Sequence, residues 1–401
     1  MNRKLSLWLA IALMMFPQIA ETIYSPALTD ISNGFRVSAN EAGQTLSLYF
    51  FAFALGVIIW GRLCDVIGRR PTMLAGLFIY AIACIGVFMT DNFSVLLILR
   101  MLSAFGAAVG SVGTQTIMRD VYSGEELAKV FSVMGAAIAL SPAIGMLSGS
   151  LLVSYAGYQG VFSGLALLAV VLLLWSTIAL PESRPATIKT APLAETAIKM
   201  LKDKQIAKTI LLIAFFNISL FAYYQLAPFM FDNQGYSAST FGYSGIVLAI
   251  GVGIGSYINK ALLSHHWQCE KLVLLASIIA VISAVGVYLL RNHISFIIPM
   301  MTSVVAYGIA IPNILATALA QYKDRLGTAG ALLGLFYYLL IGGGLALAGW
   351  GQSLAITLLI CSIGALLLSF SSPNSKIIYL KELVIFIRSS FYFVTFRKNQ
   401  E

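Results

Sequence analysis

Of the 16 acidic residues in this 401-residue chain, Glu21 alone stands well inside a long apolar run. Its basic counterpart is Arg100, in Leu99-Arg100-Met101-Leu102-Ser103-Ala104-Phe105-Gly106. Ionisable side chains in apolar surroundings are expensive to keep and mark either a pathway or a structural pair. A low-dielectric setting favours the neutral form of a carboxyl. A carboxyl whose exposure alternates between two sides of a membrane would therefore take up a proton on one side and release it on the other. Three chemistries fit Glu21: carrying a proton, holding a cationic ligand, or doing both in competition. A permanent pairing with Arg100 or a tyrosine is the structural alternative. Arg100 itself either tunes a nearby carboxylate by charge attraction or snorkels to an interface.

No other group of residues suggests bond-making chemistry. The three histidines, His265, His266 and His293, fall between apolar runs, away from any nucleophile with a base beside it. The four cysteines, Cys64, Cys84, Cys269 and Cys361, form no CxxC pair and no metal-ligand spacing. An enzyme is not expected, nor a metal or a cofactor.

The elements that must position Glu21 and Arg100 are set by composition. Hydrophobic residues make up 59% of the chain and charged residues 10%, with a mean hydropathy of +0.89. A soluble domain carries about 25% charged residues, so this chain could not cover itself in water. About 20 apolar residues cross the hydrocarbon core as a helix. Runs of that kind lie near 7–29, 44–62, 72–90, 94–117, 128–154 and 159–180, and near 208–231, 240–262, 271–290, 295–321, 329–351 and 353–372. The expected fold is an all-α membrane protein of twelve transmembrane helices in two six-helix pseudo-repeats. Corresponding runs start about 200 residues apart, and Pro26 in the first run is matched by Pro228 in the seventh. The predicted units are an N-terminal bundle over 1–180, a linker over 181–207, a C-terminal bundle over 208–372 and a basic amphipathic tail over 373–401. Arg3 and Lys4 ahead of an apolar run imitate a signal peptide, but no small-residue cleavage site follows and the first helix is expected to stay.

The net charge of +9 comes from Lys and Arg in short loops between runs, which encodes orientation rather than nucleic-acid binding. Nearly all of it falls on one side when both termini are cytoplasmic. The expected location is the inner (plasma) membrane.

Gly61-Arg62-Leu63-Cys64-Asp65-Val66-Ile67-Gly68-Arg69-Arg70-Pro71 joins the second and third runs. Glycines permit a tight turn and close helix approach, and Asp65 is placed to pair with an arginine or cap a helix start. The segment is similar to the loop signature of the major facilitator superfamily at both glycines, the aspartate and the basic pair. Ser141-Pro142-Ala143-Ile144-Gly145-Met146-Leu147-Ser148-Gly149 resembles the helix-five signature of that family's antiporter branch, with Met146 and Ser148 where proline and glycine are usual. Tyr24-Ser25-Pro26-Ala27-Leu28, Arg119-Asp120, Leu180-Pro181-Glu182-Ser183, Ile311-Pro312-Asn313 and Gly327-Thr328-Ala329-Gly330-Ala331 resemble drug:proton antiporters of the Bcr/CflA type. Tyr158-Gln159 departs from a Trp-Arg pair common there, and Thr22 stands where many members have an acid, one residue after Glu21.

The resemblance covers residues 1–372. It implies a secondary active transporter that exports small amphipathic or cationic compounds in exchange for protons by alternating access. Glu21 would carry the proton. Gly61, Asp65, Gly68, Arg69, Arg70, Arg100, Arg119, Asp120, Pro142, Gly145 and Gly149 would serve gating and conformational change. Tyr24, Asn217, Tyr223, Tyr224 and Asn313 would line the substrate path, where aromatic faces beside a carboxylate suit lipophilic cations. The expected partners are a small-molecule substrate, protons and the lipid bilayer, with the chain acting as a monomer. Two alternatives remain open: a dedicated exporter of one metabolite, such as a siderophore, sugar or amino acid, and a non-transporting membrane sensor.

Overall fold

The computed structural model describes residues 6–185, 192–322 and 325–370; the predicted tail over 373–401 lies outside them. Every regular element within them is helical. Ten helices there are long and apolar enough to cross a membrane. One of these, the 56-residue α6 (Gly124–Ala179), is two helices joined at a kink where Ala156 and Gly157 leave helical geometry. The 17-residue α13 (Leu354–Phe370) is the remaining apolar helix. The expected twelve spans are therefore present.

The first span is α1 (Leu7–Thr22), a 3-10 turn at Ser25–Ala27, and α2 (Leu28–Phe35). Pro26 lacks an amide hydrogen and sits at the start of that turn, so the helix is interrupted in mid-span. Its repeat mate Pro228 stays inside an unbroken α8 (Lys204–Asn233), so the matched prolines act differently in the two halves. The rest of the first half is α3 (Ala39–Ile67), α4 (Arg69–Gly86), α5 (Phe93–Val121) and α6. The rest of the second half is α9 (Ala238–Ser264), α10 (Cys269–Leu290), α11 (Ile297–Ala318), α12 (Leu326–Gly351) and α13. Local signals fix the helix starts. Ser38 and Glu41 form a capping box on α3, Asn92 caps α5 and Asp203 caps α8.

The predicted linker is more structured than its polar composition suggests. It contains α7 (Leu193–Lys202), with Thr196 and Met200 buried four residues apart on one face. Arg325 Nη1 lies 3.1 Å from Glu195 Oε1, and the Tyr322 hydroxyl donates to Asp203 Oδ2 at 3.1 Å, so this helix is tied to the second half. A helix of only 10 residues lacks the sustained apolar periodicity that makes helices visible in sequence.

One apolar core gathers α1, α3, α4, α5 and α6; two more are built on the second-half helices, and one of these also takes in Leu46, Phe50 and Met146 of the first half. The outer surface carries large apolar side chains such as Phe78, Ile98, Leu167, Ile282 and Leu367, as lipid requires. Between the halves α3 packs on α12, and α6 packs on α9.

Candidate functional site

Consecutive spans alternate in direction, so the turn at Gly68 defines one side of the molecule, called the loop side, and the opposite end is the far side. A cavity of about 360 Å³ lies between the halves. α1 contributes Gln18 and Glu21, and α6 contributes Gly135 and Pro142. Its aromatic wall is Phe221 and Tyr224 from α8, Tyr307 from α11, and Tyr337 and Tyr338 from α12. Asn217 and Ser256 add polar side chains to the lining, beside Gly245 and Gly308. Glu21 is the one carboxyl among the lining residues, and none of them is Lys, Arg or His. It is 4% exposed, and its Oε1 has no protein hydrogen-bond partner among the described residues.

Arg100, on α5 of the first half, is wholly buried and is not among the residues that line the cavity. Its guanidinium lies over two rings, 3.9 Å from the Tyr24 centroid and 4.7 Å from that of Tyr49. None of its three nitrogens has a protein hydrogen-bond partner among the described residues. Glu21 is thus not held by a direct bond to Arg100. The arginine is stabilised by two aromatic faces, each worth up to about 2 kcal/mol when desolvated.

The structure separates the residues expected to line the path. Asn217 and Tyr224 lie on the cavity wall. Tyr24 does not, because its ring faces Arg100. Tyr223 lies one residue from Tyr224, hence on another face of α8, where its hydroxyl donates to Ser244 at 2.6 Å. Asn313 donates to Asn259 Oδ1 at 2.6 Å, joining α11 to α9 within the second half. Tyr307, Tyr337 and Tyr338 were not singled out in sequence. Tyrosines in membrane helices favour the two interfaces, so tyrosines in mid-span were the available signal. Tyr307 also donates to Asn217 Oδ1 at 3.2 Å, which fixes that amide on the wall.

The loop-side residues form a single network. Arg69 donates to Asp120 through Nε at 2.7 Å and to Asp65 through Nη1 at 3.2 Å, and also to the Cys64 carbonyl at 2.8 Å. Gly68 has φ +108, a conformation that L side chains rarely adopt, and a Cβ there would crowd the Glu182 carboxylate. That carboxylate accepts from the backbone N–H of Arg69 at 2.9 Å and of Arg70 at 3.1 Å, so it caps α4 from the end of the sixth span. Partial burial pushes the Glu182 carboxyl up, but the backbone N–H groups of Arg69, Arg184 and Arg70 outweigh it and hold the group below its usual range. Arg70 reaches the Thr177 carbonyl at 2.7 Å. Gly61 packs beside Val112 of α5. Arg119, expected to act with these residues, points elsewhere, over the ring of Phe131 at 5.9 Å.

Pro142 lies on the cavity wall, and Gly145 and Gly149 carry α6 past the break in the first span. A Cβ at Gly145 would collide with the Thr22 hydroxyl, and one at Gly149 with the Ile23 carbonyl. Thr22, where the resemblance places an acid, is therefore buried against α6, and its hydroxyl donates to the Gln18 carbonyl at 2.8 Å. The one-residue step turns Glu21 to the cavity instead.

Comparison with known proteins agrees with this architecture. The family described as Major Facilitator Superfamily matches residues 7–347. An uncharacterized transporter of Rickettsia bellii is 31% identical over 354 residues, covering 84% of this chain and 88% of that protein. Multidrug resistance protein D of Escherichia coli K12 is 24% identical over 340 residues, covering 83% of this chain and 86% of its own length. The crystal structure of a D-xylose-proton symporter superposes with a TM-score of 0.71 at 14% identity, covering 92% of this chain and 97% of that one, a likeness of fold. With its paired six-helix halves, its loop network and a match running from the first span into the eleventh, this chain belongs to the major facilitator superfamily.

Proposed function

We propose that the protein exports small amphipathic or cationic compounds across the inner membrane in exchange for protons. The observation that carries this reading is the position of Glu21, the single carboxyl among the lining residues, facing an aromatic wall and free of any direct bond to Arg100. A carboxylate there attracts a cation, and the rings of Tyr224, Tyr307, Tyr337 and Tyr338 offer apolar and cation–π contact. A proton on Glu21 removes the charge that holds the cation. Proton and substrate then compete for one group, and the proton gradient supplies the driving force, with about 2.3 kcal/mol more per charge per 100 mV of membrane potential. Likeness to a multidrug resistance protein supports the substrate class.

In this reading the halves 1–180 and 208–372 rock about the cavity. The basic loop side is cytoplasmic, with both termini, because most Lys and Arg residues lie there. The deciding experiment uses inverted membrane vesicles and a panel of lipophilic cations, zwitterions and metabolites. Native vesicles should dissipate an imposed pH gradient on adding a substrate, and Glu21→Gln vesicles with the same protein level should not. An equal response from both would remove Glu21 from the coupling. A response to one metabolite alone would make the protein a dedicated exporter.

A further inference from the structure

Gln225 lies beyond the cavity, at the point where α8, α3 and α12 meet. It is wholly buried on α8, directly after the cavity residue Tyr224. Its Nε2 donates across the molecule to the Gly43 carbonyl of α3 at 2.9 Å. The same nitrogen donates to the Leu345 carbonyl of α12 at 3.1 Å. Both amide protons are therefore used, one in each half.

The neighbours are shaped around this side chain. A Cβ on Gly349 would stand 2.7 Å from Gln225 Nε2 and 2.9 Å from Gln44 Nε2. A Cβ on Gly43 would stand 3.3 Å from Gln225 Nε2. Glycine at both positions lets the amides reach main-chain carbonyls that a larger residue would cover. Gln44 repeats the pattern, donating from the first half to the Ala346 carbonyl at 3.2 Å. Ser25, at the break in the first span, donates to the Tyr224 carbonyl. Ser154 and Ser239 pair at 3.0 Å farther out. All four contacts join the two halves on the far side. Gln225 is central among them and wholly buried, so its bonds are shielded from competing water.

The geometry points to Gln225 as the latch that holds the far side shut over the cavity, with Gln44 as its auxiliary. The inference rests on the alternating-access reading given above, not on the identity of the substrate. Opening the far side must separate α8 from α3 and break the Gln225–Gly43 bond. A neutral amide suits that duty: the bond to Gly43 biases the closed state, the bond to Leu345 holds the amide in place within its own half, and no charge is stranded when the Gly43 bond parts. Its Oε1 has no protein partner among the described residues, so the amide is anchored on its donor side alone.

The test is a pair of distance measurements on the full chain in lipid nanodiscs, with spin labels introduced at exposed positions. Asn33→Cys with Asp232→Cys reports the far side, and Lys129→Cys with Lys260→Cys reports the loop side. The four native cysteines are replaced in every variant. Gln225→Leu keeps the volume and removes the donors. It should shift the far-side equilibrium toward open by about tenfold, with reciprocal shortening on the loop side. Gln44→Ala should do the same to a smaller degree. Unchanged distances in a folded Gln225→Leu protein would overturn the latch. Broadening of both pairs together would make Gln225 a packing residue and overturn it equally. Neither measurement needs a substrate, so failure to find a transported compound would leave this result standing and count only against the proposed function.

Discussion

The two sets of ionisable groups in the first half are built on opposite principles. At the loop side Arg69 bonds Asp120, Asp65 and the Cys64 carbonyl, while Ser183 adds a donor to Asp120 at 3.1 Å. Inside the membrane, Glu21 Oε1 and all three guanidinium nitrogens of Arg100 lack a protein hydrogen-bond partner among the described residues. Buried polar groups in folded proteins are nearly always satisfied, and each exception calls for a reason. Around Arg69 and Asp120 the loop network is satisfied and therefore defines a geometry, although the Nε of neighbouring Arg70 has no partner among the described residues. The membrane pair is unsatisfied and therefore sensitive to anything that brings charge, a proton or water to it. Saturated bonding marks the part that holds shape, and unmet bonding marks the part that responds.

The sharpest way to break this comparison is to neutralise the responsive group. Glu21→Gln should reduce substrate-driven dissipation of a pH gradient to that of vesicles lacking the protein, with little loss of thermal stability. A large stability loss with transport retained would place Glu21 among the structural charges instead.

Arg100 should come next. Arg100→Lys keeps the charge but loses the planar stacking on Tyr24 and Tyr49. Transport is expected to fall by about tenfold, with a stability loss of about 1–2 kcal/mol read from thermal unfolding in detergent. Combining it with Glu21→Gln separates direct from indirect action. If Arg100 acts through Glu21, the stability loss caused by Arg100→Lys changes once Glu21→Gln is present, whereas independent action leaves that loss the same.

How much of this was legible beforehand follows the same division. The twelve spans and their pairing were readable because hydrophobic length is a strong signal. Glu21 and Arg100 were readable because charge inside such a run is rare. The cavity wall was less so. Tyr24, Tyr223 and Tyr224 look alike in sequence, but only Tyr224 faces the cavity, because which way a side chain points depends on partner helices far away in the chain. Tyr307, Tyr337 and Tyr338 join them only through the packing of α11 and α12 against α8. The cap from Glu182 to α4 joins residues 113 apart in sequence, and nothing local announces it.

The loop network should yield to substitution in stability before transport. Asp120→Asn removes the charge facing Arg69, whose side chain is 4% exposed, and leaves the guanidinium to Asp65 and the Cys64 carbonyl. Removing one member of a largely buried pair costs about 3 kcal/mol. A lowered unfolding temperature with the Glu21-dependent pH response retained would keep the two regions distinct. Loss of that response at full stability would join the loop to the transport machinery.

The smallest effect is the most specific, because it has a pH signature. The Glu182 carboxyl is held below its usual range by the α4 and Arg184 backbone N–H groups, despite the opposing push of partial burial. A carboxyl depressed in the folded state stabilises the fold above its unfolded value, near pH 4.3. That contribution is lost as pH falls through the lower folded value. Glu182→Gln keeps an acceptor for the Arg69 or Arg70 N–H but removes the charge that favours a helix N-terminus. The variant should be less stable at neutral pH by about 0.5–1 kcal/mol, and the gap to the native protein should close on acidification below about pH 4. A difference that persists unchanged at low pH would mean the glutamate acts through shape alone. A difference that vanishes would show its charge at work in the bonded part of the molecule, where protonation changes stability.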